Sequence, residues 1–307
     1  MNLFYIIANI IPIINIVALP INNNFYFQTK NIGDKTFFEI TKQENNSNYP
    51  IKKINDSLGV KISAKSALVQ DVKSKKILWS KNKDEVRSIA SITKLMTGLV
   101  LADIKDFNWE KEIIINDNDN IGDFNKLKIS VGDTVKLRDL FNASIITSSN
   151  NGIETLIKNS GIKKEKFIEM MNDEAKKIGM KNTNFKEPTG LDPENVSTAS
   201  DLTILLEKTF SYPIIKESTS KKNYTFKVSN SREITVSNTN ELIGSYLNIH
   251  AGKTGYTEKA GFCLVSEVEY DNKGPIRTIV LGSESHYERF SDLKALSTWV
   301  FNNYIWN

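Results

Sequence analysis

After Ser91 the chain is apolar on nearly every side of a helical wheel, with Ile92, Leu95, Met96, Leu99, Val100 and Leu101. That is the pattern of a helix buried all round. Upstream, Ser66–Gln70 and Lys76–Ser80 read as short strands joined by the polar connection Asp71–Lys75. Downstream, Ile113–Ile115 and Lys128–Asp133 read as short strands or loops. Helical periodicity returns at Leu137, Leu140, Ile145 and Ile146, breaks at the polar run Thr147–Asn151, and resumes at Ile153–Lys158, Phe167–Ile178 and Leu202–Lys208. Pro188, Gly190 and Pro193 make the stretch before the last of these a loop. Strands then follow at Ile234–Val236, Phe262–Val268 and Ile276–Leu281, the last two joined by the turn Asp271–Gly274. Phe290, Leu293, Leu296, Val300, Phe301 and Tyr304 share one face of a closing helix. Strands at both ends with helices between them predict an α/β (α+β) fold: an antiparallel sheet built from both chain ends, flanked by helices, with a helical insertion.

Residues Leu3–Ile21 are nearly all apolar, interrupted by Asn9, Pro12, Asn15 and Pro20. The length suits a membrane span or a signal peptide. No Lys or Arg precedes the run, and Ala18-Leu19-Pro20 is the nearest approach to a small-residue cleavage site. The expectation is an export signal or uncleaved anchor over 1–21, with a buried N-terminal segment as the alternative. A linker or leader follows over 22–60, where polar clusters such as Glu44–Asn48 show no period, and then a folded domain over 61–307.

A chain of 307 residues can build one large core or two smaller ones. The net charge of +4, with both signs interspersed and no long basic run, points away from a nucleic-acid partner. Cys263 is the one cysteine, so no intramolecular disulfide forms, and its apolar setting in Gly261–Val265 is that of a buried, inert thiol. The two histidines, His250 and His286, make a His-based zinc site unexpected and limit any Ser-His-Asp triad to two candidate bases. No Gly-x-Ser-x-Gly elbow, metal-ligand cluster or nucleotide loop is present, so no metal and no cofactor is expected.

The candidate chemistry begins with Ser91 and Lys94, which share a helix face at i and i+3. Ser80/Lys83, Ser160/Lys163 and Ser218/Lys221 repeat the spacing, and only the buried helix sets the first pair apart. A lysine there either snorkels to the surface or serves as a base for the serine. Two further motifs follow in order: Ser148-Ser149-Asn150 in a polar break, and Lys253-Thr254-Gly255, which occurs once.

These elements resemble the Ser-x-x-Lys, Ser-x-Asn and Lys-Thr-Gly motifs of penicillin-recognising serine enzymes. With Gly179–Phe185, Pro188–Leu191 and Gly252–Thr257, the stretch from Ile62 to Trp306 resembles the D-alanyl-D-alanine carboxypeptidases, the S11 serine peptidases among low-molecular-mass penicillin-binding proteins. The resemblance implies a β-lactamase/DD-peptidase-like fold and a catalytic set of Ser91 as nucleophile, Lys94 as its base and Ser148 as proton relay. It implies that Asn150 holds the substrate amide, that Lys253 and Thr254 hold the terminal carboxylate, and that Gly255 permits close approach. The backbone N–H groups of Ser91 and Tyr256 would form the oxyanion hole. Ser149-Asn150-Asn151 also spells the second motif; the family's usual Asp-Ala after Ser-x-Asn is replaced by Asn151-Gly152.

The implied substrate is the peptidoglycan stem peptide, with β-lactam antibiotics as covalent inhibitors, in an extracytoplasmic setting at the cell envelope. A peptidoglycan DD-endopeptidase cutting D-Ala crosslinks is the alternative: Asn195–Ala199 resembles that branch, and the chain reaches Asn307 without the family's additional C-terminal β-domain. More distant alternatives are a β-lactamase, which would want a Glu-x-x-Leu-Asn loop where this chain has Glu187–Leu191, and a non-catalytic penicillin- or peptidoglycan-sensing domain.

Overall fold

Ile279 and Val280 are adjacent in the chain and belong to different cores. Side chains alternate across a strand, and the strand that carries this pair lies in the middle of a sheet buried on both faces. The computed structural model describes residues 25–32, 35–42, 49–116 and 126–306, so the apolar run Leu3–Ile21 lies outside the described residues. The chain divides into two compact units, residues 1–48 and 49–306.

In the first unit β1 (Phe25–Ile32) and β2 (Lys35–Lys42) pair antiparallel, Phe25 opposite Lys42 and Ile32 opposite Lys35. A hairpin stands where a linker is expected over 22–60. Two sequence features favour it: the strand-favouring Phe25, Tyr26, Phe27, Phe37, Phe38 and Ile40, and Gly33-Asp34 between the runs, a residue pair favoured in short hairpin connections.

The second unit begins with β3 (Ile51–Lys52), β4 (Ser66–Asp71), β5 (Ile77–Lys81), β6 (Arg87–Ser88), α1 (Thr93–Asp103), β7 (Glu112–Ile114) and β8 (Thr134–Lys136). The helical part follows as α2 (Leu137–Thr147), α3 (Asn150–Lys158), α4 (Lys164–Ile178), β9 (Val196–Ser197), α5 (Ala199–Thr209) and α6 (Pro213–Ser220). It closes with β10 (Asn223–Val228), β11 (Arg232–Ser237), β12 (Asn248–Thr257), β13 (Gly261–Tyr270), β14 (Lys273–Ser283), α7 (His286–Asn303) and β15 (Tyr304–Ile305).

The main sheet runs β12-β13-β14-β4-β5, antiparallel throughout, so strands from both ends of the unit meet at β14 and β4 as expected. On one face Leu68, Val265 and Ile279 join the helical core around Leu95, Leu99 and Phe141. On the other, Ala67, Val69, Leu264 and Val280 pack against Phe290, Leu293, Leu296 and Val300 of α7. Each aliphatic side chain so buried is worth about 1.5–3 kcal/mol. Residues 49–60, read from sequence as leader, fold here instead. β3 pairs with β15, and Lys53 N donates to Asn303 O at 2.8 Å.

The remaining differences are local. Lys128–Asp133 forms a turn, and the strand that pairs with β7 is Thr134–Lys136. Helix α6 starts at Pro213, which a first helical turn tolerates because that N–H has no intrahelical acceptor. Among the described residues no helix is long and apolar enough to cross a membrane. Helix α1 is buried from Thr93 through Leu101. A Cβ at Gly98 would meet the Phe141 ring at 3.0 Å, so this glycine lets α2 press against α1 and fixes one wall of the site relative to the other.

Candidate active site

Ser91 sits in a single 3₁₀ turn, Ala90–Ile92, that leads into α1. Ala90 just before it is left-handed, with φ 48°. Such a conformation costs a non-glycine residue about 1–3 kcal/mol and persists only when its surroundings hold it. Gly190, itself at φ 92°, supplies that support: a Cβ there would lie 2.1 Å from Ala90 O and 2.7 Å from Ser91 N. Gly255 approaches from the opposite side, where a Cβ would lie 2.9 Å from Ile89 O and 3.1 Å from Ser91 N.

One turn on, the Lys94 side chain is 0% exposed. Its Nζ lies 2.9 Å from Ser91 Oγ, 2.6 Å from Asn150 Oδ1 and 2.5 Å from Thr189 O. This lysine does not snorkel, which removes the bland reading of the Ser-x-x-Lys pair. The acceptor Thr189 O belongs to a loop organised by one carboxylate. Glu187 accepts from Thr189 N at 2.7 Å, Thr189 Oγ1 at 2.6 Å, Asn195 Nδ2 at 2.6 Å, and from Gly190 N. Thr97 Oγ1, one turn beyond Lys94, donates to Pro188 O at 2.6 Å and ties the same loop to α1.

Ser148 and Asn150 come from the joint between α2 and α3. Ser148 ends α2 in a left-handed conformation, φ 59°. Ser149 is buried and caps α3, its Oγ accepting from Gly152 N at 3.2 Å. The two spellings of the motif therefore separate: Ser148 and Asn150 reach the cluster, and Ser149 is occupied by the helix start.

Lys253 lies on β12, the edge strand of the main sheet, and its Nζ donates to Ser148 Oγ at 2.9 Å and Thr254 O at 3.0 Å. It is 2% exposed. Burial, then repulsion from Lys94, Arg289 and Lys126, holds its ammonium well below the ordinary lysine value. Thr254 Oγ1 lies 2.6 Å from Thr239 Oγ1, and the Tyr256 ring stacks on Phe262 with centroids 4.2 Å apart. Every predicted site residue thus falls in one cluster around Ser91 or on the strand beside it.

Thr189, Glu187, Thr97 and Arg289 escape sequence reasoning as site residues. Thr189 lies within the Pro188–Leu191 motif, but its carbonyl, the loop-internal Glu187 carboxylate and the Thr97 hydroxyl carry no sequence signature of the contacts they make. Arg289, on α7, approaches Gly255 O at 3.5 Å and His286 Nδ1 at 2.9 Å. His250 pairs with Glu269 at 2.9 Å, away from these groups, as a structural residue would. Burial pushes the Cys263 thiol up to about 11, so it stays protonated and unreactive near neutral pH. Among the described residues no group of three or more His, Cys, Asp or Glu side chains is arranged to hold a metal.

Chemically the cluster offers a hydroxyl in contact with a desolvated amine, a second hydroxyl on a second desolvated amine, and a strand edge alongside. Residues 52–285 match the family model described as D-alanyl-D-alanine carboxypeptidase. The chain is 37% identical over 244 residues to a D-alanyl-D-alanine endopeptidase of Pseudomonas aeruginosa, covering 78% of this chain and 77% of that protein. It is 33% identical to the enzyme of the same name from Escherichia coli, with the same coverage. Among solved structures, Streptomyces K15 DD-transpeptidase matches with a TM-score of 0.74 at 25% identity, over 80% of this chain and all of that one. Penicillin-binding protein D2 of Listeria monocytogenes, in its ampicillin-bound form, matches with a TM-score of 0.68 at 31% identity, with the same coverage. The fold is therefore that of the DD-peptidases, and the chain belongs to the D-alanyl-D-alanine carboxypeptidase family of serine peptidases.

Proposed function

We propose that this chain hydrolyses the peptide bond after D-Ala in peptidoglycan stem peptides through an acyl-enzyme on Ser91. The observation that carries the reading is the placement of Lys94 Nζ between Ser91 Oγ, Asn150 Oδ1 and Thr189 O, out of solvent. A neutral amine has two N–H donors and one lone pair. Asn150 Oδ1 and Thr189 O take the two donors, and the lone pair is left for the Ser91 hydroxyl proton. Repulsion between two buried ammonium groups is reciprocal, so a charged Lys253 favours the neutral form of its neighbour.

In the first step Ser91 Oγ bonds to the substrate carbonyl carbon while its proton passes to Lys94. The backbone N–H groups of Ser91 and Tyr256 receive the developing oxyanion, preorganised donors of a kind worth about 2.7–4 kcal/mol each. The C–N bond then breaks, and the leaving amine takes a proton through Ser148, held by Lys253. Water attacks the acyl-enzyme and releases the shortened peptide. Lys253 and Thr254 hold the terminal carboxylate, and Asn150 holds the amide on the acyl side. β-Lactams acylate the same serine.

Two leaving groups fit this chemistry. A terminal D-Ala makes the enzyme a carboxypeptidase; a crosslinked stem makes it a DD-endopeptidase, the name carried by the relatives from P. aeruginosa and E. coli. Digestion of a crosslinked muropeptide dimer beside a monomeric pentapeptide separates them. Cleavage of neither, together with no covalent labelling by a fluorescent penicillin, refutes the proposal. Such a substrate requires an extracytoplasmic location, with Leu3–Ile21 as export signal or anchor. Fractionation of the tagged full chain tests that placement, and an unprocessed cytoplasmic product speaks against it.

A further inference from the structure

Ile249 and Ala251 stand two apart on β12, yet they belong to opposite faces of the main sheet. Ile249 joins the core under α7 and Ala251 the helical core. Residues two apart on a regular strand share a face, so one residue between them is extra. It is His250: Ile249 pairs with Val268 and Ala251 with Glu267, neighbours on β13, and the register shifts between the two pairs. β12 therefore carries a bulge, which bends a strand and re-aims the side chains that follow.

Those side chains belong to the site. From Ala251 to Thr257 the pairing with β13 is unbroken, so Lys253 and Gly255 share the face of Ala251. On that face Lys253 Nζ reaches Ser148 Oγ at 2.9 Å, and Gly255 lies against Ser91 N. A slip of one residue turns every side chain of a strand to the other face. Without the extra residue Lys253 would share the face of Ile249 and point toward α7, away from Ser148.

A bulged residue has no partner of its own in the ladder, and the His250 side chain supplies the missing tie. Its Nε2 lies 2.9 Å from Glu269 Oε2 and its Nδ1 3.8 Å from Glu267 Oε1, both on β13. An ionised carboxylate only accepts, so Nε2 donates to Glu269. Glu267 is buried and is held in turn by Arg277 on β14, whose Nε lies 3.3 Å from Glu267 Oε2. The bulge is thus clamped across three strands, three positions before Lys253.

We propose that His250 is a positioning residue for acylation: clamped to Glu269 and Glu267, it fixes the bulge that aims Lys253 at Ser148 and sets Thr254 beside it. The inference rests on the roles proposed for Lys253 and Thr254 and names what sets their direction. His250 itself touches no reacting group.

Two thiolesters with one acyl group test it, N-acetyl-D-alanyl thioglycolate and the corresponding thioglycolamide, both measured well below Tm. Only the first carries a leaving-group carboxylate for Lys253 and Thr254, so wild type should prefer it in kcat/KM. His250→Ala should cut that preference by about tenfold, less than the roughly 10²-fold that a 1 Å misplacement can cost. His250→Gln keeps an N–H donor toward Glu269 and should hold the preference near the wild-type value. Glu269→Ala removes the clamp from β13 with His250 in place; it should match His250→Ala, and it stands in for that variant if the latter does not fold. A fall in Tm with the preference unchanged in both alanine variants overturns the inference and leaves the site assignments intact. No preference in wild type overturns the carboxylate role of Lys253 and Thr254, and this inference with it.

Discussion

Lys253 Nζ donates to Ser148 Oγ at 2.9 Å, joining residues 105 positions apart in the chain. The contact gives the second hydroxyl a fixed direction and a buried amine as its neighbour, and it makes Ser148 testable apart from Ser91. Ser148→Ala should keep the fold, since the methyl group fits the vacated space, but slow acylation by about 10²–10³-fold if the hydroxyl relays a proton. Stopped-flow acylation by penicillin measures this. An unchanged rate would remove Ser148 from the mechanism.

Lys94→Arg puts a permanent cation where the proposed mechanism needs a neutral base, because a guanidinium does not deprotonate in a protein. The side chain is larger than a site with no solvent exposure can take without shifts. Acylation should fall by at least about 10²-fold, and near-normal labelling would refute the base assignment.

Lys253 should be a stability liability. Its folded pKa lies well below the ordinary value of 10.5. Between those two values the unfolded chain binds the proton and the folded chain does not, so stability rises with pH across that window. Below the folded value both states are protonated and the full penalty is present. Lys253→Met should therefore raise Tm near and below neutral pH, with the gain shrinking as pH approaches 10.5, while abolishing activity. Thermal melts of both proteins across pH provide the measurement; a gain that grows with pH would contradict the burial of Lys253 and its repulsion by neighbouring cations.

Glu187 is fully engaged as an acceptor within its loop, which leaves it no role in activating a deacylating water. Penicillin turnover should accordingly be slow, with an acyl-enzyme detectable by mass spectrometry after excess drug is removed. Glu187→Gln replaces an acceptor by a donor facing donors. It should cost about 1–3 kcal/mol of stability and slow acylation by loosening Thr189 O from Lys94, read as a fall in Tm with a fall in labelling rate.

Gly190→Ala meets Ala90 O at 2.1 Å in a conformation that alanine resists. Loss of penicillin labelling larger than the loss of Tm is expected, because the clash lands on the turn that carries Ser91.

The strands of the main sheet, helix α1 and the Ser148/Asn150 joint were legible from sequence because each has a strong period or a motif of distinctive side chains. What escaped was written in backbone. Thr189 serves through its carbonyl and Gly190 through the absence of a side chain, so neither advertises its partner. The β1–β2 hairpin escaped because Phe and Thr sit among Lys and Asn without strict alternation. Both spellings of Ser148-Ser149-Asn150-Asn151 place a serine two before an asparagine, so the register is chosen from sequence only through the family resemblance, as Ser148; the buried cap at Ser149 supplies the physical distinction.

Ser91, Asn150 and Thr189, hydrogen-bond partners of Lys94, lie 3, 56 and 95 positions from it in the chain. A polypeptide leaving the ribosome therefore holds Ser91 and Lys94 long before it holds Asn150 and Thr189. With Ser91 as the proposed nucleophile, reactivity arises only when α1, the α2–α3 joint and the Glu187 loop have docked, so covalent capture of penicillin would double as an assay of completed folding. A lesion in α1, in the α2–α3 joint or in the Glu187 loop would register in that assay even where the overall helix content is unchanged.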